Sequence, residues 1–212
     1  FASGRGHFAA AVFDSRYKDQ QVTSQVAVLV PAPAVASFVD NVASSTIRGF
    51  EFEGTLKLAE HLSFNLQAGY IDAKFNEFVT FDPLTGTRHN VADQRGFQNT
   101  PKWAGSLGLT MSAAIGGGEL SFTPMMSYRG AYQLFETAIP ALDQDSYRLF
   151  DASLAWTPAN EKWNFALHGR NLLDERYRVG GYNFPGATFG NVVSGFYGPP
   201  RTFTLTASYK FD

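Results

Sequence analysis

Residues 62–70 read LSFNLQAGY, and apolar and polar side chains alternate through this stretch without a break. Successive side chains of a β-strand point to opposite faces of the sheet, so a period of two indicates a strand with two different surfaces. One face of this predicted strand carries Leu62, Phe64, Leu66, Ala68 and Tyr70, and the other carries Ser63, Asn65, Gln67 and Gly69. The stretch therefore predicts a strand that separates an apolar environment from a polar one.

The same alternation recurs in eight segments, at residues 7–19, 46–58, 62–75, 103–114, 119–132, 147–157, 162–172 and 200–211. The connections between them alternate between long (20–45, 76–102, 133–146 and 173–199) and short (59–61, 115–118 and 158–161). Outer-membrane barrels have tight turns on the periplasmic side and longer loops outside. The pattern predicts an all-β fold, an antiparallel transmembrane β-barrel with about eight strands in this chain, whose apolar face meets lipid and whose polar face lines a wet lumen.

Two features near the first predicted strand allow more than one interpretation. The alanines at 9–11 leave the register of that strand open, since small side chains do not mark a face. Residues 22–43 can be a loop, or Val22–Val30 can prolong the first strand, Pro31–Pro33 can turn the chain, and Val35–Val42 can return as its partner.

Aromatic residues cluster near the ends of the predicted strands. Trp156 and Trp163 flank the short connection at 158–161, and the long-loop ends carry Trp103, Tyr128, Tyr132 and Tyr147. Amphipathic rings gather at the headgroup level on both sides of a membrane barrel. The positions predict two aromatic girdles; the alternative is the ordinary aromatic core of a soluble β protein.

Composition excludes several classes of protein. The net charge of −2 gives no signal for a nucleic-acid partner, and without cysteine neither a disulfide framework nor a thiolate metal site can form. Aromatic residues make up 15% of the chain, although the mean hydropathy is only −0.15. The most apolar run, residues 26–39, contains Pro31 and Pro33 and is too short for a transmembrane helix.

No catalytic or metal-binding pattern is present in the sequence. His7, His61, His89 and His168 are scattered without metal-ligand spacing, and residues 143–145 lack the downstream glycine and glutamate of a calcium loop. An outer-membrane hydrolase is disfavoured because His168 falls on the polar face. We therefore predict that the protein is not an enzyme and that it uses no cofactor or metal.

Several short motifs resemble one family. The last third contains NLLDERY at 171–177, YGPPRTF at 197–203 and SYKF at 208–211, and the earlier matches are IRGFE at 47–51 and NTPKW at 99–103. The three motifs of the last third resemble the C-terminal end of TonB-dependent outer-membrane receptors, and the two earlier motifs resemble barrel segments of the same family. One departure is Asp212, which follows the terminal aromatic Phe211 at which family members usually stop.

The resemblance implies a 22-stranded barrel with a plug in its lumen, in the bacterial outer membrane. Residues 1–212 would be the C-terminal barrel segment, and the plug has no counterpart among them. The implied partners are outer-membrane lipid, a TonB-type energy-coupling protein that acts through the plug, and a small nutrient such as a metal chelate, most often a ferric siderophore. No nucleic acid is implied.

A second organisation remains possible on the sequence alone. Eight strands can close into a small barrel whose interior is filled by side chains, with a structural or adhesive role. The many glycine, serine and threonine residues on the polar face are too small to fill such an interior, which favours a segment of a larger barrel.

The candidate ligand-binding residues all lie in the long loops. Arginine forms charge-assisted forks and aromatic rings supply stacking surface, which together suit an anionic, ring-bearing chelate. The candidates are Arg88, His89, Arg95, Phe135, Arg178, Tyr182, Phe184 and Phe189. Further charges are expected to face the lumen, where they would contact a plug or pair with one another: Glu51, Glu53, Arg129, His168 and Arg170.

Overall fold

The computed structural model describes residues 4–28, 34–82, 85–186 and 190–211. Eleven strands occur in this part of the chain: β1 (Gly6–Val28), β2 (Ala34–Ala59), β3 (Leu62–Asp82), β4 (Thr87–Asn90), β5 (Trp103–Ile115), β6 (Gly118–Arg129), β7 (Tyr147–Pro158), β8 (Trp163–Arg170), β9 (Arg178–Phe184), β10 (Val192–Tyr197) and β11 (Thr202–Tyr209). A short 3₁₀ helix spans Ala92–Gln94. Within the described ranges, no helix has the length and apolar character that crossing a bilayer requires.

Eight of these strands form one antiparallel sheet in the order β1-β2-β3-β5-β6-β7-β8-β11. Strand β4 pairs with the last four residues of β3, Val79 to Asp82. The eight predicted segments correspond to these eight strands, so the predicted fold class is confirmed. Among the described residues β1 pairs only with β2 and β11 pairs only with β8, so the sheet is open. An unpaired strand edge is unfavourable in hydrocarbon, and an open sheet of this kind fits one part of a larger barrel.

Cross-strand pairing confirms the two-faced character of the sheet. One row joins Leu66 to Leu107 and Leu107 to Met126, and the adjacent row joins Gln67 to Ser106 and Ser106 to Ser127. The apolar face is hardly covered by the rest of the protein, since Val12 is 87% and Leu205 is 78% exposed. Because no layer of the described residues packs on this face, lipid is the environment that can bury it.

The first two strands settle both open interpretations. In β1, Ala10 pairs with Phe52 and Ala9 with Glu53, so Ala10 lies on the apolar face and Ala9 on the polar one. Strands β1 and β2 continue beyond the predicted ends. Their pairing extends from Val22, which lies opposite Asp40, to Val28, which lies opposite Ala34. Residues 22–28 therefore prolong the first strand, as the second interpretation predicted; the predicted turn at Pro31–Pro33 lies outside the described residues.

Other predicted boundaries shift. Strand β6 ends at Arg129 rather than at residue 132, and β3 extends to Asp82. The long connections at 76–102 and 173–199 each contain a hairpin, β3–β4 and β9–β10. The predicted short turns are present, and the one between β5 and β6 uses positive φ at Gly116 and Gly117. The long loops are therefore partly built from strands.

Aromatic rings mark both ends of the apolar face. At the long-loop end the Trp103 ring centroid lies 5.6 Å from that of Phe50 and 4.9 Å from that of Tyr70. At the short-turn end the Trp163 ring lies 5.6 Å from Phe165 and 4.8 Å from Tyr209. This arrangement agrees with the predicted girdles. Two predicted members do not belong to them, because Tyr132 and Tyr147 are buried beneath the loops.

Candidate functional site

The polar face of the sheet is concave and forms a groove of about 990 Å³. Its wall includes Glu51, Glu53, Gln67, Ser106 and Arg129. These residues come from β2, β3, β5 and β6, and the pairing register places them on one face. The groove corresponds to part of the wet lumen that the sequence predicts.

The inward charges do not pair with one another in the part of the chain that the structure describes. Arg129 instead donates a hydrogen bond from Nη2 to the Asn99 carbonyl oxygen at 3.0 Å, and its guanidinium lies 4.8 Å from the Tyr132 ring centroid. Glu51 and Glu53 are exposed within the groove. Their carboxylates therefore remain open to whatever fills the lumen.

Above the groove, the loop between β6 and β7 folds over a small apolar core. Tyr132, Leu134, Leu142 and Tyr147 are all buried, and Phe135, Ile139, Leu149 and Tyr177 pack around them. The rings of Tyr147 and Tyr177 stack with their centroids 4.6 Å apart. We call this group the loop core. It joins the 130–146 loop to the segment that leads into β9.

Hydrogen bonds between side chains and the backbone fix the start of strand β9 to the 130–146 loop. The Tyr132 hydroxyl donates to the Arg178 carbonyl oxygen at 3.0 Å, and the Arg178 backbone N–H donates to Oε1 of Gln144 at 2.6 Å. The Arg178 guanidinium donates to the Asp143 carbonyl oxygen at 2.9 Å. Burying polar groups with satisfied hydrogen bonds holds the start of the β9–β10 hairpin in one position.

A titration of Tyr132 tests this arrangement. Burial raises the pKa of Tyr132 from its ordinary 10.0 to about 12, and the neighbouring Tyr147 adds to the rise. Because the neutral hydroxyl is favoured in the fold, its contribution to stability is complete below pH 10.0 and is lost as the pH rises towards about 12.

We therefore expect an ultraviolet phenolate titration to contain a late phase that loses amplitude in Tyr132→Phe. Part of that phase should remain, because burial also raises the pKa of Tyr177. The β9–β10 hairpin should become accessible to protease over the same pH range. If every phenolate titrated near the ordinary tyrosine pKa and Tyr132→Phe changed nothing, the buried hydrogen bond to Arg178 would be refuted.

A second apolar cluster stabilises the other loops. Val22, Ala43 and Phe78 are buried together, and the Phe75 ring stacks on Phe97 at 4.3 Å. The 91–102 loop also bonds to the 130–146 loop, since the backbone N–H of Asn99 donates to the Gln133 carbonyl oxygen at 2.9 Å. The long loops thus form a connected layer above the groove.

Two predicted candidates lie inside this layer. The Arg95 guanidinium lies 5.5 Å from the Phe78 ring centroid. Burial raises the pKa of the Glu136 carboxyl, and the positive charge of Arg95 partly offsets that rise. Phe135 packs against the loop core. The side chains of Arg95 and Phe135 therefore both contribute to the packing of the loops.

The other described candidates lie on strands β4 and β9. Arg88 and His89 are exposed on β4, where His89 Nε2 lies 2.7 Å from the Thr87 hydroxyl. Tyr182 and Phe184 are exposed on β9, whereas Arg178 forms the hydrogen bonds described above. Phe189 lies outside the described residues. The structure thus brings Tyr182 and Phe184 together on one hairpin. Arg88 and His89 lie on a different hairpin, since β4 pairs with β3 and not with β9 or β10.

Sequence reasoning missed the hairpin face to which these two rings belong. Tyr182 pairs with Ser194 and Phe184 with Val192, so both rings project from one face of β9–β10, together with Phe196. The Tyr182 ring lies 5.7 Å from Phe184 and 5.2 Å from Phe196. The sequence signal for this hairpin is the spacing of the aromatic rings, with Tyr182 and Phe184 two residues apart in 178–184 and Phe196 in 192–197. No group of three or more potential metal ligands occurs among the described residues.

Known proteins share this fold. The model of the family described as TonB dependent receptor-like, beta-barrel matches residues 1–172. The ferric yersiniabactin uptake receptor FyuA from Yersinia pestis superposes with a TM-score of 0.75 at 20% identity, over 99% of this chain and 28% of that one. The siderophore receptor PiuA from Acinetobacter baumannii gives 0.70 at 19% identity, over 100% of this chain and 27% of that one.

A third similar structure is the ferric-catecholate import receptor Fiu from Escherichia coli K12, with a TM-score of 0.65 at 18% identity, over 98% of this chain and 25% of that one. This chain therefore spans about a quarter of the length of the three receptors. At such identities the structural similarity establishes the fold, while the match over residues 1–172 establishes the family. The chain belongs to the TonB-dependent receptor-like β-barrel family, whose members lie in the outer membrane of Gram-negative bacteria.

Proposed function

We propose that this chain is the C-terminal part of the barrel of an outer-membrane receptor, and that the complete receptor takes up a ferric siderophore. The open sheet supports the first half of the proposal, since each edge strand needs a neighbour in lipid. The chain would supply about eight of 22 strands. The remaining strands, and a plug that a TonB-type coupling protein engages, would come from other parts of the receptor.

The aromatic face of the β9–β10 hairpin is the observation that carries the ligand proposal. Tyr182, Phe184 and Phe196 are 56%, 44% and 45% exposed, although their rings contact one another. The opposite face of the hairpin packs through Gly181 against Leu142 of the loop core. A stacking surface on a fixed support suits a flat, ring-bearing ligand, because little ordering is needed on binding.

The charged groups fit an uptake route from the loops into the barrel. Arg88 and His89 are exposed on β4 and supply positive or hydrogen-bonding groups among the loops. Below them, the groove wall carries Glu51 and Glu53. A ligand would first bind to the loops, and the groove would accommodate the plug until energy coupling moved it. Two neighbours are named for ferric yersiniabactin uptake and as a siderophore receptor, which favours an iron chelate.

Uptake by cells tests the function itself. We expect a strain lacking the complete receptor to lose energy-dependent accumulation of one class of radiolabelled ferric chelate, and the intact gene to restore it. Dissipating the proton gradient should abolish uptake but leave surface binding. If the strain accumulated every ferric chelate tested at the parental rate, the proposed substrate class would be rejected.

The aromatic face is tested by substitution in the complete receptor. We expect Tyr182→Ala combined with Phe184→Ala to weaken binding of a ring-bearing ferric chelate by about tenfold, since each stacking contact contributes about 0.5–1.5 kcal/mol. Equilibrium binding to purified receptor would measure this. Tyr182→Phe is the matched control and should retain affinity because the ring is kept. Unchanged affinity in the double variant would show that the ligand binds elsewhere.

A further inference from the structure

The outward face of the sheet changes from apolar to charged within one row of residues. Val12, Phe50 and Tyr70 pair across β1, β2 and β3 at the aromatic girdle. Two residues further towards the loops, Asp14, Arg48 and Asp72 pair in the same way. Side chains two apart along a strand share a face, so this charged row lies on the lipid-facing side, directly beyond the girdle.

Further cations surround that row. Arg16 and Lys74 lie two residues further on, and Lys102 precedes β5. The ion-pair distances are 2.8 Å for Arg48–Asp14, 3.7 Å for Arg16–Asp14, 2.9 Å for Lys74–Asp72 and 3.8 Å for Lys102–Asp72. We define the outer basic patch as Asp14, Arg16, Arg48, Asp72, Lys74 and Lys102. It has four cations and two carboxylates, which is a surplus of two positive charges.

The cations of the patch keep most of their surface open. Their side chains are between 57% and 74% exposed. Arg48 donates to Asp14 through Nε at 2.8 Å, and a guanidinium has five N–H donors, so this bond uses only one of them. Ion pairs this exposed are individually weak. The arrangement can therefore take up an additional anion without first breaking a buried network.

The position of the patch identifies the anion. The long-loop end of an outer-membrane barrel lies on the extracellular side, and the girdle marks the headgroup level. The next row outwards meets the phosphorylated headgroups of the outer leaflet. A phosphate monoester carries a charge of about −1.5 to −2 at neutral pH, which matches the surplus of the patch.

We propose that the outer basic patch binds the phosphate of a phosphorylated glycolipid of the outer leaflet, the headgroup chemistry of lipopolysaccharide. Lys74 and Lys102 bind it as flexible point charges, while Arg16 and Arg48 donate directed hydrogen bonds. Asp14 and Asp72 hold the cations along the rim of the sheet and keep them in place when the phosphate leaves. The acyl chains of the same lipid would then lie against the apolar face below.

Lipid retention by the complete receptor tests the proposal. The probe is lipid A with both phosphates, offered in mixed micelles to receptor freed of bound lipid, and the test variant is Lys74→Gln with Lys102→Gln. We expect its affinity to fall roughly ten- to thirtyfold at low salt, because each basic residue near an anionic surface contributes measurably to binding. Arg16→Gln, which leaves the Arg48–Asp14 pair intact, should produce a smaller loss.

Lys57→Gln with Lys210→Gln is the charge-matched control, since it removes two lysines from the groove face at the short-turn end of the sheet, where both side chains are exposed. It should bind like the unmodified receptor. Enzymatically dephosphorylated lipid A should bind all receptors equally and weakly. The proposal is overturned if the patch and control variants bind phosphorylated lipid A alike, or if free inorganic phosphate displaces the lipid at equal concentration. Siderophore binding should be unaffected, which separates this proposal from the proposed transport function.

Discussion

Leu107→Arg is expected to lower the free energy of unfolding of the complete receptor in lipid bilayers by about 2–4 kcal/mol, because an arginine on the lipid face near the middle of the membrane must leave water. Leu107 lies between Leu66 and Met126 in a row of apolar side chains. It is 38% exposed in the protein alone, so a longer side chain at this position extends into the surrounding lipid. Denaturant unfolding in vesicles, followed by tryptophan fluorescence, measures the change.

Ser106→Arg is the matched control for this result. Ser106 is the preceding residue and faces the groove, where its hydroxyl donates to Oε1 of Gln67 at 3.3 Å. Glu53 pairs with Gln67 on the same face, so a guanidinium at position 106 meets water and a carboxylate. We expect a change in unfolding free energy within about 0.5 kcal/mol, as for other exposed sites. Equal losses in both variants would contradict the assignment of the two faces.

Leu142→Ala should release the β9–β10 hairpin from the rest of the protein. Leu142 is only 1% exposed, and a Cβ placed on Gly181 would lie 2.9 Å from its Cδ2 atom, so the leucine fills the space beneath the hairpin. Truncating a buried leucine costs about 2–5 kcal/mol. Hydrogen exchange of the β9 and β10 amides should accelerate by more than about tenfold, while exchange in β6 and β7 stays unchanged.

The control for this substitution is Leu173→Ala. Leu173 is 66% exposed, so removing its side chain should change neither the exchange rates nor the binding of a chelate. If Leu142→Ala left the hairpin amides as protected as before, the loop core would not be what positions Tyr182 and Phe184. Ligand affinity should fall with the loss of protection, since a mobile hairpin must be ordered on binding.

The membrane part of the fold could be predicted from sequence because one physical requirement repeats in every strand. Lipid on one side and water on the other impose a period of two, and Leu66 beside Gln67 shows it as clearly as Phe203 beside Thr204. The extension of β1 and β2 could be suggested but not decided. Beyond the membrane neither face is constrained by lipid, so a valine-rich run fits a loop as well as a strand.

The loop structures were harder to predict because their packing is tertiary. Gly180 and Gly181 weaken the β propensity of β9, yet Gly181 is required where Leu142 approaches the strand. The positions of Tyr132 and Tyr147 near strand ends predict that both belong to the girdle, but both are buried beneath the loops. Their burial depends on Leu134 and Leu142, which approach them only when the 130–146 loop folds back.

The ligand-binding candidates illustrate the same limit. Arginine in a long loop suits an anionic ligand, which makes Arg178 a predicted ligand residue, but in the structure its guanidinium donates to the Asp143 carbonyl oxygen. Nothing in the sequence near residue 178 indicates that partner, which lies 35 residues earlier. Tyr182 and Phe184 are predicted ligand residues because their rings offer stacking surface, and both are exposed side by side. The ligand role of all eight candidates remains a prediction.

The central claim is that alternate side chains of these strands face hydrocarbon and a wet lumen. The chain contains no cysteine, so single cysteines at each position from 63 to 69 of β3 can carry a spin label in the complete receptor reconstituted in bilayers, provided that any cysteine elsewhere in it is replaced. We predict that accessibility to oxygen peaks at positions 64, 66 and 68, and that accessibility to a water-soluble nickel complex peaks at 63, 65, 67 and 69. Accessibility without alternation, or with the two sets exchanged, would contradict the claim.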